Sequence, residues 1–403
     1  MTLAHGRDHL AIPGPSVIPS RVLGAMHQPA PNIYGGALIE MTESIYRDLA
    51  MLAGSRHEPV IYIGNGHAAW EASLVNVLSR GDRLLGLVTG RFGFGWAKMA
   101  EQLGAQCDYL DFGTRSGVDA GQLEATLRAD RTRSIKVITT VLSDTASGVR
   151  NDIPAIRAAI DAAAHPALLM VDAICSFACE PFDMDGAGVD IMVTGCQKGL
   201  MTPPGLAFVF PGDRAIEARG SANLVTPYWD WSPRREYTMF PERFCGTPPT
   251  HHLFGLREAL DMLLEEGIAT VWRRHRTLAE AVWAAIECWG AADASHIASH
   301  VTDKTVRSHA VTTVMTAPGD APRIREWCEQ EAGVTLGIGF AVDDTTKNAI
   351  FRVGHMGHLN PPMLLGTLAS IEAALVSLGI PHGRGAVDAA ASVIARYQVS
   401  VSR

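Results

Sequence analysis

Residues 167–177 read ALLMVDAICSF, and residues 189–205 read VDIMVTGCQKGLMTPPG. Two apolar runs, Ala167–Val171 and Val189–Thr194, lack the alternation of a sheet with one wet face, so they predict buried parallel strands. Each run ends in one ionisable side chain as the chain leaves the sheet, Asp172 after the first and Lys198 after the second. In open α/β sheets, ligands bind beyond the carboxyl ends of the strands. A lysine and an aspartate delivered there together point to pyridoxal 5′-phosphate. The lysine forms a Schiff base with the cofactor aldehyde, and the aspartate keeps the pyridine nitrogen protonated so that the ring accepts electrons.

The choice of lysine is narrow. Of 34 Lys+Arg residues only five are lysines, at 98, 136, 198, 304 and 347. Lys198 alone follows a buried run into a Gly/Pro-rich turn, Gly199 to Gly205. By itself it reads more readily as an exposed loop lysine, since exposure is the norm for that residue. Its pairing with Asp172, and the glycine loop described next, decide for the cofactor.

Upstream, a strand over 59–63 runs into Gly64-Asn65-Gly66-His67 and a helix over 68–78. Glycines let backbone N–H groups approach an anion, and a helix N-terminus adds its dipole. Neither G-x-x-x-x-G-K-[ST] nor G-x-G-x-x-G is present, which disfavours a nucleotide. His67 opens this helix, where it lends its backbone more readily than its ring. A strand over 84–88 leads to Thr89-Gly90-Arg91-Phe92-Gly93, where Phe92 is placed to stack on a flat ring or to pack in the core. Asp119 and Asp152 read as helix starts, the latter with Pro154 in the first turn. The strand over 135–141 ends in the hydroxyl-rich loop Ser143-Asp144-Thr145-Ala146-Ser147-Gly148.

With further strands over 107–110 and 206–210, seven strands lie between residues 59 and 210, which predicts an α/β fold with one mostly parallel sheet covered on both faces. The expected organisation is an extended arm over 1–25, a large cofactor-binding domain over 26–266 and a smaller C-terminal α+β domain over 267–403. At 403 residues, one ordinary core is too small. In the C-terminal part, Arg352 stands out in the otherwise apolar strand FRVGHMG, as a carboxylate binder or half of an internal salt bridge.

Composition excludes several classes. The chain is 47% hydrophobic with net charge -8, which leaves no electrostatic footprint for nucleic acid or an anionic membrane. No apolar run is long enough to span a bilayer. The opening MTLAHGRDHLAIPGP has no signal-peptide core, so a cytoplasmic location is expected. Seven cysteines without C-x-x-C or Cys/His spacing predict no metal site.

The order of phosphate loop, aromatic, hydroxyl loop, strand-end Asp, Lys and late Arg resembles the class V, fold-type I aminotransferases, and most closely their alanine–glyoxylate and serine–glyoxylate branch. The likeness runs through PGPSVIP, GNGHAAWEASLVNVLSRGD, HPALLMVDAICSF, VTGCQKGLMTPPGL, TPPTHHLFGLREALD and FRVGHMG. The resemblance implies a homodimer with shared active sites. It makes Lys198 the Schiff-base lysine and the base that moves the substrate α-proton to cofactor C4′, with Asp172 on the pyridine nitrogen. Gly66, His67 and Gln197 would hold the phosphate, helped by Thr247 from the other subunit, and Ala68 would also bind the cofactor. Phe92 would stack on the ring, Thr145 would contact it, and Arg352 would bind the substrate carboxylate.

Three departures bear on the substrate. The H-R-S or Y-R-S common in glyoxylate-using relatives is here Tyr34-Gly35-Gly36, with Tyr34 a further substrate-binding candidate. The usual N-E-T-A-T-G loop reads Ser143 to Gly148. Cys175 and Cys196 stand where serines are usual. Tyr34 and the D-T-x-S-G loop look like pyridoxamine–pyruvate aminotransferase, whereas the intact Gly64-Asn65-Gly66-His67 loop favours a tightly held cofactor. The expected reaction passes an amino group from a small L-amino acid (serine-, alanine- or aspartate-like) to glyoxylate or pyruvate with ping-pong kinetics. Transfer from free pyridoxamine to pyruvate is the alternative. A carbon–sulfur lyase on the same scaffold is disfavoured, because Cys328 falls in a helix rather than a mobile loop.

Overall fold

The computed structural model describes residues 2–340 and 344–401, with side chains for 2–340 and 346–397. Its strands are β1 (His9–Ala11), β2 (Val60–Gly64), β3 (Arg83–Val88), β4 (Gln106–Asp111), β5 (Ile135–Val141), β6 (Leu168–Asp172), β7 (Ile191–Gly195) and β8 (Gly205–Pro211). Four more follow, β9 (Ala298–Ser299), β10 (Val311–Met315), β11 (Val334–Ile338) and β12 (Ile350–Gly354). Strands β2 to β8 form one sheet in the order β2-β8-β7-β6-β5-β3-β4. All its pairings are parallel except those of β8, which runs antiparallel to both β2 and β7. The reason is the length of the link. A parallel return needs a crossover of about a dozen residues or more, and residues 196–204 are too few. The chain therefore doubles back, and that tight turn carries Lys198.

The apolar runs without alternation reflect burial on both faces. In β6, Leu169 and Val171 join a core with helices Ala37–Ala53, Ile153–Ala162 and Thr250–Glu266, while Leu168 and Met170 join another with helices Gly66–Val75 and Arg91–Gln102. The same split recurs in β2, between Ile61 on one side and Val60 and Tyr62 on the other. Both expected aspartate caps are formed. Asp119 accepts from the N–H groups of Gly121 and Gln122, and Asp152 from that of Ala155.

The second sheet has the order β1-β11-β12-β10-β9. Its core is shared with helices Ile268–Trp289, Asp320–Ala332, Pro361–Ser377 and Ala386–Val401. The arm is more ordered than the sequence suggests, because β1 pairs parallel with β11 and a helix forms over Ser20–Met26. Three paired residues are too few to leave a period in the sequence.

Glu180, in the crossover between β6 and β7, ties the two sheets together. It is buried, and its Oε1 accepts from Ser143 Oγ (2.9 Å), Ser308 Oγ (2.8 Å) and the His309 N–H (2.9 Å). Arg150 Nε lies 2.9 Å from Oε2, an ion-pair distance although the N–H is not aimed along it. Removing a buried carboxylate strands its donors and leaves a cation uncompensated. Glu180→Ala is therefore expected to cost about 3 kcal/mol, toward the lower end for a buried pair because Arg150 is partly solvated. Urea unfolding would read this as a lower midpoint, with a smaller loss for Glu180→Gln.

Candidate active site

Asp172 is the last residue of β6, and Lys198 lies in the turn between β7 and β8. Both line a cavity of about 320 Å³, within the usual range for small-ligand sites. Around them stand Gly66, His67, Phe92, Thr145 and Gln197, so seven of the residues singled out from sequence come together. Ala68, half-buried in the helix, does not line this cavity, and neither do Tyr34, Thr247 or Arg352. Tyr34 and Thr247 are exposed. A larger open groove of about 950 Å³, bordered by Arg273, Trp283 and Tyr397, contains none of these residues.

Asp172 is held from two sides. Its Oδ1 accepts the Ile174 N–H (2.6 Å), and its Oδ2 accepts Trp70 Nε1–H (2.9 Å). Burial pushes its carboxyl up to about 7, against the pull of those two donors. Lys198 is nearly fully buried, and burial lowers the proton affinity of its amine, opposed by Cys175 and Asp172 nearby. The arm closes over it. Lys198 Nζ donates to the Pro13 carbonyl, Ser16 Oγ donates to the Lys198 carbonyl (2.7 Å), and the Ser16 N–H donates to the Gln197 carbonyl (2.9 Å). Gly14 is required there, since its φ is +106° and a β-carbon would run into the lysine side chain.

The glycine turn and the helix over Gly66–Val75 bring the helix N-terminus to the cavity. The His67 N–H donates to Asn65 Oδ1 (3.0 Å), so the backbone donor expected from sequence is already engaged by the helix cap. The imidazole packs against Trp70, with ring centroids 4.6 Å apart. Phe92 lies in the first turn of a helix beginning at Arg91, not in the loop expected from the glycines. Its N–H donates to Asp144 Oδ2 (2.8 Å), as does that of Gly93 (3.2 Å). Asp144 Oδ1 accepts from Ala146 and Ser147 in its own loop. One buried carboxylate thus fixes the aromatic and the hydroxyl loop together. Burial raises its proton affinity, and those four donors oppose that rise without cancelling it. Gly90 lets Asp144 approach, since a β-carbon there would strike the carboxylate.

Arg352 sits on the central strand of the second sheet, 5% exposed. Its Nε donates to the Ile338 carbonyl (2.7 Å) and its Nη1 to the Thr145 carbonyl (2.8 Å). No carboxylate of the described residues lies at ion-pair distance, so the alternative of an internal salt bridge is not what these residues show. Burial brings its guanidinium down to about 10. Sequence reasoning missed Trp70, Ile174 and the Pro13–Gly14 segment as parts of the cavity region, whereas Ser143 lies in the hydroxyl loop it singled out. Only Trp70 left a usable signal, as an indole one helical turn beyond Gly66 that needs a partner when buried.

The model of the family described as aminotransferase class-V matches residues 20–347. The chain belongs to the class-V aminotransferases. It is 33% identical to serine–glyoxylate aminotransferase of Arabidopsis thaliana, over 98% of this chain and 96% of that one. It is 32% identical to L-aspartate–glyoxylate aminotransferase of Paracoccus denitrificans, over 96% and 95%. The crystal structure of pyridoxamine–pyruvate aminotransferase from Mesorhizobium loti superposes with a TM-score of 0.87, at 26% identity, covering 98% of this chain and all of that one. The fold is that of the fold-type I pyridoxal-phosphate enzymes, and pyridoxal 5′-phosphate is the cofactor that membership in this family implies.

The residues present fit that group. A buried carboxylate and a buried amine face the same space, and a helix start at its edge supplies anion-binding character. Without cofactor, Asp172 favours the folded state only while it keeps its proton. An unfolded aspartate titrates near 4, so this contribution is complete below about pH 4 and is lost as pH rises through about 7. Relative to Asp172→Asn, the cofactor-free protein should lose a few kcal/mol of stability across that window. Denaturant unfolding at a series of pH values measures the difference, and Lys198 is common to both proteins.

Proposed function

We propose that this aminotransferase moves the amino group of a small L-amino acid (serine-, alanine- or aspartate-like) to glyoxylate or pyruvate, in two half-reactions at one site of a homodimer. The observation that carries the reading is the buried Asp172 and Lys198 delivered by adjacent strands into one cavity beside a helix start. The serine–glyoxylate and L-aspartate–glyoxylate relatives support glyoxylate as acceptor, and the pyridoxamine–pyruvate neighbour supports pyruvate. Seven free cysteines suit a reducing compartment, and the cytoplasm is the proposed location. Among the described residues, no helix is long and apolar enough to cross a membrane.

When bound, pyridoxal phosphate supplies an electron sink that stabilises negative charge at the substrate α-carbon. The chain's own residues do the rest. Gly66, His67 and Gln197, which line the cavity, would hold the phosphate, with Thr247 of the second subunit completing that site. Asp172 would face the pyridine nitrogen, and Phe92 and Thr145 would flank the ring. Lys198 would take and return the proton at the substrate α-carbon. Its burial keeps the amine's proton affinity low, which brings the free base closer to working pH. Arg352 would orient the α-carboxylate, its plane fixed by the Ile338 and Thr145 carbonyls. Tyr34 would be a further contact to the substrate. The lyase alternative finds no support at Cys328, which is buried in helix Asp320–Ala332 with its thiol pushed up to about 12 by burial.

The test is an absorption spectrum of extensively dialysed protein, repeated with L-serine, L-alanine, L-aspartate and pyridoxamine. A near-visible band that survives dialysis and is bleached by an amino acid is expected. Loss of colour on dialysis, with turnover only from pyridoxamine and pyruvate, would replace this reading by the pyridoxamine–pyruvate reaction. Arg352→Lys loses the planar fork, and steady-state kinetics should show KM for amino and oxo acid rising about 10- to 100-fold.

A further inference from the structure

Arg91 opens the helix Arg91–Gln102, directly before Phe92, and is exposed. Its guanidinium carbon lies 5.0 Å from the centroid of the Phe340 ring, and that of Arg352 lies 4.3 Å from the same centroid. The two cationic carbons are therefore at most about 9.3 Å apart, the sum of those separations. Phe340 also meets Phe92 edge to face at 6.2 Å, so this cluster adjoins the cavity wall that Phe92 forms. Burial chiefly disfavours protonation of His67 and of Arg352, and the charge of Arg91 acts in the same direction on both. Among the described residues, neither guanidinium has a carboxylate at ion-pair distance. Two like charges held this close, with no carboxylate of the described residues at ion-pair distance, repel, and an anion bridging them relieves the repulsion.

We propose that Arg91 determines donor specificity by taking the distal carboxylate of a dicarboxylic amino acid of the aspartate class, while Arg352 takes its α-carboxylate. The inference rests on the aminotransferase reading of this site. The dimensions allow it. The two carboxylate carbons of an extended aspartate are about 4 Å apart, and each guanidinium carbon sits about 4 Å from the carboxylate carbon it binds. That reach of about 12 Å exceeds the ceiling of about 9.3 Å, so an aspartate is long enough to span the two guanidiniums. Serine and alanine carry nothing for Arg91 to hold. Exposure of Arg91 and burial of Arg352 set the order, with the α-carboxylate inside and the side-chain carboxylate toward solvent.

The experiment compares wild-type holoenzyme with Arg91→Gln and Arg91→Lys in two assays. In the first, the ratio of kcat/KM for L-aspartate over L-alanine should fall about tenfold or more in Arg91→Gln, chiefly through KM, with partial rescue by Arg91→Lys. In the second, calorimetry of the holoenzyme with succinate and propionate should show a wild-type preference for succinate that Arg91→Gln removes. An unchanged ratio in both assays overturns the assignment. So does loss of cofactor on dialysis of Arg91→Gln, which would place Arg91 on the phosphate instead. Wild-type enzyme inert toward every amino donor would defeat the aminotransferase reading, and the succinate and propionate arm would still decide the subsite.

Discussion

Burying a lysine and an aspartate together at the ends of two neighbouring strands is costly, because each side chain would rather be charged in water. Here the cost falls on both partners, raising the proton affinity of Asp172 and lowering that of Lys198. The fold tolerates it by surrounding each group with fixed donors and acceptors. Trp70 and the Ile174 N–H hold the carboxylate, and the Pro13 carbonyl holds the amine. A sheet packed on both faces makes these positions rigid. It also means that the cavity is shaped before any ligand enters, which is what preorganised chemistry requires.

The second sheet takes part directly. Strand β12 carries Arg352 to the Thr145 carbonyl, and Glu180 joins the Ser143 hydroxyl to Ser308 and His309 just before β10. The hydroxyl loop therefore receives its position from both halves of the molecule, with Asp144 passing that position on to Phe92. A displacement of the second sheet would be felt at Thr145, Phe92 and Arg352 together.

Much of this was legible in the chain. The seven strands of the large sheet, the Asp119 and Asp152 helix starts, and the pairing of Asp172 with Lys198 follow from apolar runs, capping residues and strand ends, all local in sequence. Trp70 and Pro13 were not, because their partners lie 102 and 185 residues away and no local period announces them. The antiparallel course of β8 could have been read from the short link before it. The three-residue β1 could not, since its partner β11 lies more than 300 residues on.

By itself, then, the sequence determined the layered α/β architecture, the lysine and the aspartate, and the family resemblance that names their chemistry. These depend on burial and turn preferences that act over a few residues. Only the tertiary structure decided that the arm seals the lysine, that Asp144 binds the Phe92 turn, that Arg352 has no carboxylate partner among the described residues, and that Arg91 shares Phe340 with it. Each of these is a contact between distant segments. Such contacts are set by how whole elements pack, and packing is a property of the assembled core rather than of any one stretch of chain.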